Sequence, residues 1–384
     1  MDFSVLSDKN VKTLLVNFEK SDISYMANTL ETAFLSYSVE TESQYQPHRQ
    51  GVTRSNGQTT LFMPATLSDG VSVKIVGVPP PQSSQTSLAP PLRGVLVVCD
   101  EQGKCLGVVN SEEFTAFRTS LGSILPYQYR KRTDHVVVFG AGKQALWHLR
   151  LALVLRGSDI QTVTIINRSP KRAQQLIDRL HEMDSQSGMK TTPDVKFSIV
   201  DAESSPTLSK FQDSTRSAIQ RADVIFCTTP TKTPLFPAEW LINEQGRCKT
   251  RYISAIGSYN LDMAELDPNL LHAITTTDLG SYNPGQGSNE AGGVILVDSR
   301  EACALEAGEI VQANLSTNRM LEVGELVNLQ RTGDQKTKDA LGSWLENGLV
   351  LYKSVGLGIM DLALGKALIN LAREKNVGYR LDEF

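Results

Sequence analysis

The sequence predicts an α/β protein whose middle part forms a parallel β-sheet. Two observations support this fold class. From His135 onward, short apolar segments alternate with helical segments of roughly 10–15 residues. A glycine-rich turn also joins the first of these strands to the first helix. Strands separated by helices of this length form βαβ units, and such units build parallel sheets.

The N-terminal part predicts two helices followed by a group of strands. Apolar spacing over residues 8–36 indicates the helices, with Ser7 and Ser21 as their N-caps. Ser111 begins a third helix, and the proline-rich segment Pro79–Pro91 is typical of a surface loop. The predicted strands are Thr59–Met63, Val71–Val78, Gly94–Asp100 and Cys105–Val109.

The elements of the middle part follow in alternation. The predicted strands are Val136–Phe139, Val163–Ile166, Val195–Val200, Val224–Cys227, Tyr252–Ile256 and Ala273–Thr276. The predicted helices cover 143–156, 170–182 and 214–221, and polar loops cover Met183–Asp194 and Asp201–Asp213. After about residue 300 the chain predicts helices, including a long amphipathic stretch over Leu349–Arg373.

Composition excludes several classes of function. The 384 residues are 40% apolar with a net charge of −4, so no basic surface favours nucleic acid or an anionic membrane. The five cysteines are scattered and the histidines lack ligand spacing, so neither a disulfide framework nor a metal site is expected. The first 20 residues carry charges throughout, unlike a signal peptide. We therefore expect a soluble cytoplasmic protein.

The clearest motif follows the strand Val136–Phe139. Gly140 permits a tight turn, and Gly142 allows a pyrophosphate to approach the backbone at a helix N-terminus. Two glycines after a strand also occur in simple turns, but here a helix and a second strand complete the required βαβ context. The motif predicts a Rossmann-type dinucleotide site that includes Gly140, Ala141, Gly142, Lys143 and Gln144.

The end of the second strand predicts which dinucleotide binds. NAD sites place an acidic residue there to bind the ribose 2′-hydroxyl, but this chain has Asn167, Arg168 and Ser169. A guanidinium pairs well with a 2′-phosphate, so NADP(H) is favoured and NAD(H) stays possible. The alternative is that these residues only solvate the start of a helix.

Several further segments, spread over nearly the whole chain, are informative together: Leu61–Ala65, Val73–Val76, Phe117–Ser120, Gly140–Ala145, Ala222–Val224, Ile256–Tyr259 through Glu265-Leu266, and Lys353–Ala363. They resemble the ornithine cyclodeaminase/mu-crystallin family and run in the family's order. The departures are the Pro79–Pro91 insertion and the two polar loops of the middle part.

The resemblance implies a subunit of two domains and a homodimer. Residues 133–309 would form the NADP-binding Rossmann domain, and residues 1–132 with 310–384 an α+β domain for dimerisation and substrate binding. Family members act on small α-amino or α-imino acids with a nicotinamide cofactor.

The resemblance also assigns the substrate carboxylate to Arg49, Lys74 and Arg118, with Lys74 as the catalytic residue. Charge-assisted, bidentate hydrogen bonds would fix a carboxylate beside the reacting carbon. Without the resemblance, each residue has a simpler interpretation. Arg49 would lie in a solvated loop, Lys74 on the exposed face of a strand, and Arg118 on the surface of a helix.

Four more residues are candidates for cofactor binding. Thr228 and Thr229 follow a strand at the carboxyl edge of the predicted sheet, where ligands of such sheets bind. Ser354 and Gly356 could approach the cofactor from the C-terminal segment, although close helix packing would equally explain a glycine there.

One departure bears on the reaction. Cyclodeaminases of the family carry an aspartate where this chain has Tyr259, and a phenol is a poor general base at neutral pH. This favours NADPH-dependent reduction of a ketimine carboxylate, with cyclic ketimines preferred, in amino acid metabolism. The alternatives are ornithine cyclodeamination with a tightly bound nicotinamide cofactor, and a crystallin-like protein that binds nucleotide without catalysis.

Overall fold

The computed structural model describes residues 3–80, 92–192, 194–258, 260–283 and 292–382. Contacts divide the chain into two compact units, Met1–Arg118 with Leu357–Phe384, and Thr119–Gly356. Both chain ends therefore belong to the first unit. The predicted domain boundaries at residues 132 and 310 differ from this division, because strands near residues 320 and 350 join the sheet of the second unit.

The described residues form fifteen strands and fourteen α-helices. The strands are β1 (Phe3–Leu6), β2 (Gln50–Thr53), β3 (Thr59–Leu67), β4 (Gly70–Val78), β5 (Arg93–Asp100), β6 (Cys105–Asn110), β7 (His135–Phe139), β8 (Thr162–Asn167), β9 (Lys196–Asp201), β10 (Val224–Cys227), β11 (Tyr252–Ala255), β12 (Ile295–Val297), β13 (Met320–Glu322), β14 (Val350–Lys353) and β15 (Tyr379–Leu381). The helices are α1 (Asp8–Val16), α2 (Lys20–Ser38), α3 (Ser111–Tyr127), α4 (Lys143–Arg156), α5 (Pro170–Ser187), α6 (Leu208–Arg221), α7 (Glu239–Ile242), α8 (Glu244–Arg247), α9 (Pro268–Thr276), α10 (Arg300–Glu306), α11 (Gly308–Gln312), α12 (Val323–Thr332), α13 (Gln335–Asn347) and α14 (Gly358–Glu374).

The first unit is a sheet with helices on one face. Its described strands lie in the order β15-β1-β6-β5-β4-β3-β2, and every neighbouring pair except β1 and β6 is antiparallel. Helix α14 packs across β3 to β6 and against α2. Leu96, Val98 and Val109 face this helix layer and are fully buried. The opposite sheet face carries the alternate residues of each strand.

The second unit is a parallel sheet with the strand order β13-β12-β14-β11-β10-β7-β8-β9. From β7 the chain extends the sheet through β8 to β9 and then returns to β10 on the other side. The switch point therefore lies between the carboxyl ends of β7 and β10, where such sheets bind ligands. Val137, Ile225, Ile253 and Leu351 are buried in an apolar cluster of this unit. The predicted Rossmann-type parallel sheet is confirmed.

Some sequence predictions differ from the structure. Ser7 caps α1 as predicted, but Ser21 does not cap α2, because the N-cap is Glu19, which forms a capping box with Asp22. The predicted strand Ala273–Thr276 is wrong, since these residues form the end of α9. The stretch 349–373 contains a strand, β14, before its helix begins.

The predicted polar loops are shorter than expected. Helix α5 continues to Ser187, and α6 begins at Leu208, so each loop loses several residues to a helix. Most of the proline-rich insertion, residues 81–91, lies outside the described residues. Among the helices described, none is long and apolar enough to cross a membrane.

Candidate active site

Lys74 and Arg118, two of the three predicted substrate residues, bind the same carboxylate in the first unit. The Nζ atom of Lys74 lies 2.7 Å from Oδ2 of Asp361, and Nε of Arg118 donates to Oδ1 of Asp361 at 3.1 Å. All three side chains are at least 95% buried. The surface alternatives considered for Lys74 and Arg118 are therefore wrong.

The folding of the sheet explains why Lys74 is buried. Lys74 pairs with the fully buried Leu96 across β4 and β5, so its side chain points toward the helix layer. Asp361 comes from the first turn of α14, where helix N-termini favour negative charge. Burial and the nearby charge of Arg118 lower the pKa of Lys74 to about 8, although Asp361 opposes this shift.

Arg118 keeps one end of its guanidinium available for a ligand. Its Nε donates to Asp361 and its Nη1 to the sulfur of Met360 at 3.5 Å. Within the described part of the chain, Nη2 has no hydrogen-bond partner. The two buried cations share one anion, so the cluster keeps one net positive charge that a carboxylate could neutralise.

Arg49 belongs to the same electrostatic environment. It lies half-buried directly before β2, and its charge also lowers the pKa of Lys74. Asp361 is the residue of this cluster to which the sequence analysis gave no role, although it belongs to the Lys353–Ala363 segment. An acidic residue inside an apolar helix segment is the signal that could have identified it.

The glycine turn of the second unit has the geometry that a dinucleotide needs. Gly140 has φ +103°, a conformation that favours glycine, and an added Cβ would lie 3.0 Å from both Thr228 Oγ1 and Thr229 Cγ2. Gly142 begins α4 without a side-chain cap, and an added Cβ there would project into open space. Among the described residues, the buried Oε1 of Gln144 has no hydrogen-bond partner. Together these features fit a pyrophosphate at the helix N-terminus.

The end of β8 presents a basic rather than an acidic side chain. Arg168 is exposed, and Asn167 beside it donates from Nδ2 to the carbonyl of Ser169 at 2.9 Å. Asp201 ends the neighbouring strand, and one of its oxygens accepts the N–H of Ser204.

Two buried carboxylates hold the loops that follow β10 and β14 of the parallel sheet. Glu265 accepts the N–H of Thr229, which follows β10. Asp298 accepts the hydroxyl of Ser354 at 2.6 Å and the N–H of Gly356 at 2.7 Å after β14. The Ser354 hydroxyl and the Gly356 N–H therefore already donate hydrogen bonds within the protein.

The remaining predicted cofactor residues are placed as follows. The hydroxyl of Thr228 donates to the carbonyl of Phe139 at 2.7 Å, which joins the carboxyl ends of β7 and β10. Ala141 and Lys143 lie in the glycine turn and the first turn of α4. Tyr259, which bears on the choice between reduction and cyclodeamination, lies outside the described residues.

Comparisons with known proteins show which family this chain is similar to. A family model described as Ornithine cyclodeaminase/mu-crystallin family matches residues 8–201, half of the chain. An uncharacterized protein of Saccharomyces cerevisiae is 26% identical and covers 98% of this chain and 99% of its own. A Δ1-pyrroline-2-carboxylate reductase of Bacillus cereus is 23% identical, covering 95% and 98%.

A solved structure shares the fold over the full length. It is the Δ1-pyrroline-2-carboxylate reductase of Thermococcus litoralis in complex with NADH and L-proline, with a TM-score of 0.70 and 22% identity. The match covers 99% of this chain and 100% of that one. The family resemblance stated from the sequence motifs is confirmed by these comparisons.

Proposed function

The chain belongs to the ornithine cyclodeaminase/mu-crystallin family, and we propose that it reduces a cyclic ketimine carboxylate to an α-amino acid with NADPH. One observation carries the proposal. Lys74 and Arg118 are buried together, and both pair with the single carboxylate of Asp361. A substrate with one carboxylate next to its reacting C=N bond would offset the positive charge of this cluster. Binding there would place the imine next to the protonated amine of Lys74.

The named relatives support the substrate class. Δ1-Pyrroline-2-carboxylate, the compound in the name of the Bacillus cereus relative, is a cyclic imine with a single carboxylate. L-Proline, which is bound in the Thermococcus litoralis structure, is the amino acid formed when that C=N bond is reduced. With Lys74, Arg118 and Arg49 against one Asp361, the cluster has an excess of positive charge that the carboxylate of such a ring would reduce.

In the proposed mechanism the protein binds the carboxylate and supplies a proton. Arg118 uses its Nη2 atom to bind and orient the carboxylate, and Arg49 adds positive charge. Lys74 donates a proton from Nζ to the imine nitrogen, which its pKa of about 8 permits at neutral pH. The glycine turn, with Gly140 and Gly142, would hold the dinucleotide, which would supply the hydride for the imine carbon when bound. The C=N double bond becomes a CH–NH single bond, and Lys74 regains a proton from solvent.

The proposed preference for NADPH rests on Arg168. Its guanidinium is exposed at the end of β8, where NAD sites carry an acidic residue that would repel a 2′-phosphate. Charge-assisted hydrogen bonds to phosphate are about twice as strong as neutral ones. NADPH should therefore bind more tightly than NADH.

We also propose a homodimer formed through the outer face of the first unit's sheet. Among the residues that the structure describes, α14 and α2 pack over the other face of this sheet. Phe62 and Val71 are 38% and 37% exposed on the outer face. A continuous apolar face of this kind indicates a protein interface. It also includes Val73, Ile75, Val95 and Val97.

The cytoplasmic location stays a prediction. Its support is that the cysteines are free thiols and that three of them, Cys99, Cys105 and Cys248, are not fully buried. Free thiols that reach solvent suit a reducing compartment.

A substrate panel tests the proposal. Five- and six-membered cyclic ketimine carboxylates are offered with NADPH and, in parallel, with NADH, and the loss of reduced nucleotide and the amino acid formed are measured. Wild-type protein should reduce at least one ketimine, and Lys74→Met should not. The matched control is Lys366→Met, which removes a half-buried lysine of the same unit that pairs with Asp69.

The panel also separates the alternatives. Ammonia release from ornithine without net loss of NADPH would indicate a cyclodeaminase. Nucleotide binding with no turnover of any ketimine would indicate a crystallin-like binding protein. Either result would contradict the proposed reduction.

A further inference from the structure

A buried glutamate connects the two loops at the carboxyl ends of β10 and β11. The Oε1 atom of Glu265 accepts the N–H of Thr229 at 2.6 Å, and its Oε2 accepts the N–H of Gly257 at 2.6 Å. Glu265 itself is fully buried. Both carboxylate oxygens are therefore occupied by backbone donors from different loops.

The contacts around this carboxylate leave no space for a side chain at position 257. A Cβ on Gly257 would lie 2.6 Å from Oε1 of Glu265 and 2.4 Å from the carbonyl oxygen of Thr229. Thr229 in turn packs against Gly140, where an added Cβ would lie 3.0 Å from its Cγ2. A displacement of Thr229 would therefore be transmitted to the glycine turn.

We propose that Glu265 is a positioning residue for the dinucleotide. When the side chain of Glu265 is ionised, it holds the loops after β10 and β11 against the Gly140 turn. The inference rests on the nucleotide-binding part of the proposed function. An ionised carboxylate accepts hydrogen bonds at both oxygens. A protonated one directs an O–H at one of the two N–H groups, so one loop loses its attachment.

The surroundings make the charge of Glu265 sensitive to pH near neutrality. Burial raises the pKa of Glu265 to about 7, while the charge of Lys353 and the two backbone hydrogen bonds oppose the rise. Glu309 lies on the far side of Lys353 and adds to the rise. The neighbouring Cys227 is buried, and its own pKa is raised, so the thiol stays neutral.

Nucleotide binding without substrate tests the inference. The Kd of NADPH is measured by fluorescence from about pH 8 to about pH 6, so that Glu265 passes from mostly ionised to mostly protonated. If only the ionised form binds, the Kd of wild-type protein rises about tenfold over this range. The Glu265→Gln variant should bind more weakly than wild type at pH 8, and its Kd should stay nearly constant with pH.

Three controls make the result specific. The 2′-phosphate of NADPH also titrates near pH 6, so the series is repeated with NADH, which lacks that group. Glu239→Gln changes an exposed glutamate of the same unit and should behave as wild type. Thermal unfolding shows whether the Glu265→Gln variant is folded. If it is not, the pH series of the wild-type protein still tests the inference.

The outcomes distinguish a failure of the role proposed for Glu265 from a failure of the proposed nucleotide binding. A Glu265→Gln variant with the wild-type pH dependence, or a wild-type Kd for NADH that stays constant with pH, would overturn the role of Glu265. Failure of wild-type protein to bind either nucleotide at pH 8 would instead overturn the proposed function, and this inference with it.

Discussion

Asp361 Oδ2 lies 2.7 Å from Lys74 Nζ, and both side chains are at least 99% buried. The other oxygen of Asp361 holds Arg118, so one carboxylate fixes the positions of both cations. Because charge removed from water is costly unless it is paired, this carboxylate is essential to the cluster. It also keeps Lys74 protonated, since it opposes the effect of burial on the pKa of that amine.

Replacing Asp361 should destabilise the protein strongly. Asp361→Asn leaves two buried cations without a counter-charge, and such a loss costs about 3–5 kcal/mol in the free energy of unfolding. Urea denaturation measures the change. The control Asp69→Asn removes the exposed partner of Lys366 and should cost about 0–1 kcal/mol. Equal effects of the two substitutions would contradict the role of Asp361.

The rate of ketimine reduction should decrease above about pH 8. Lys74 has a pKa of about 8 and donates a proton, so the active protonated form disappears as the pH rises through that value. In Asp361→Asn the pKa of Lys74 falls further, and the alkaline limb of kcat/KM should move to lower pH. A pH–rate profile of both proteins measures the shift. An alkaline limb that is the same in both would show that another group titrates.

The glycine turn offers a test of nucleotide binding that leaves the fold intact. Gly142 has φ −97°, which other residues adopt, and an added Cβ would meet no atom within 4 Å. Gly142→Ala should therefore unfold like wild type, while its methyl group blocks the pyrophosphate and raises the Kd of NADPH at least tenfold, about 1.4 kcal/mol. Fluorescence titration measures the Kd.

The matched control for this variant is Gly342→Ala. Gly342 lies inside α13, and an added Cβ there also meets no atom within 4 Å. It should gain about 1 kcal/mol of stability from helix propensity and bind NADPH normally. Normal binding by Gly142→Ala would mean that the dinucleotide does not approach this turn.

The preference for NADPH should reverse when the charge at the end of β8 is reversed. Arg168→Asp loses a charge-assisted contact worth about 1.5–3 kcal/mol, so the Kd of NADPH should rise about ten- to hundredfold while that of NADH does not. Arg216→Asp makes the same change of charge on the exposed side of α6 and should leave both constants unaltered. If Arg168→Asp binds NADPH as tightly as wild type, the 2′-phosphate lies elsewhere.

Much of the fold could be predicted from local patterns. The βαβ alternation predicted the parallel sheet, and the strand Val224–Cys227 has the predicted bounds, because apolar runs between helices have few other solutions. The strand predicted at Ala273–Thr276 shows where this reasoning fails. Its β-branched residues suit a strand, but Asp267 and Pro268 begin a helix that includes them.

The site could be predicted only in part. The motifs identified Lys74, Arg118 and the glycine turn because those residues have recognisable neighbours in the sequence. Asp361 and Glu265 could not be assigned roles in this way, since they lie 243 and 36 residues from Arg118 and Thr229, the residues they hold. Partners at such separations are brought together only by the fold. An acidic residue inside an apolar segment, such as Asp361, indicates that a partner exists but does not say which residue it is.

The most direct test of the proposed reduction follows the hydride itself. NADPH carrying deuterium at the transferable position of the nicotinamide ring is incubated with a cyclic ketimine carboxylate, and the amino acid product is analysed by mass spectrometry. The proposal predicts one deuterium at the α-carbon of the product from wild-type protein, and little product from Lys74→Met. An amino acid product without deuterium, or conversion of ornithine with the label still in the nucleotide, would contradict it.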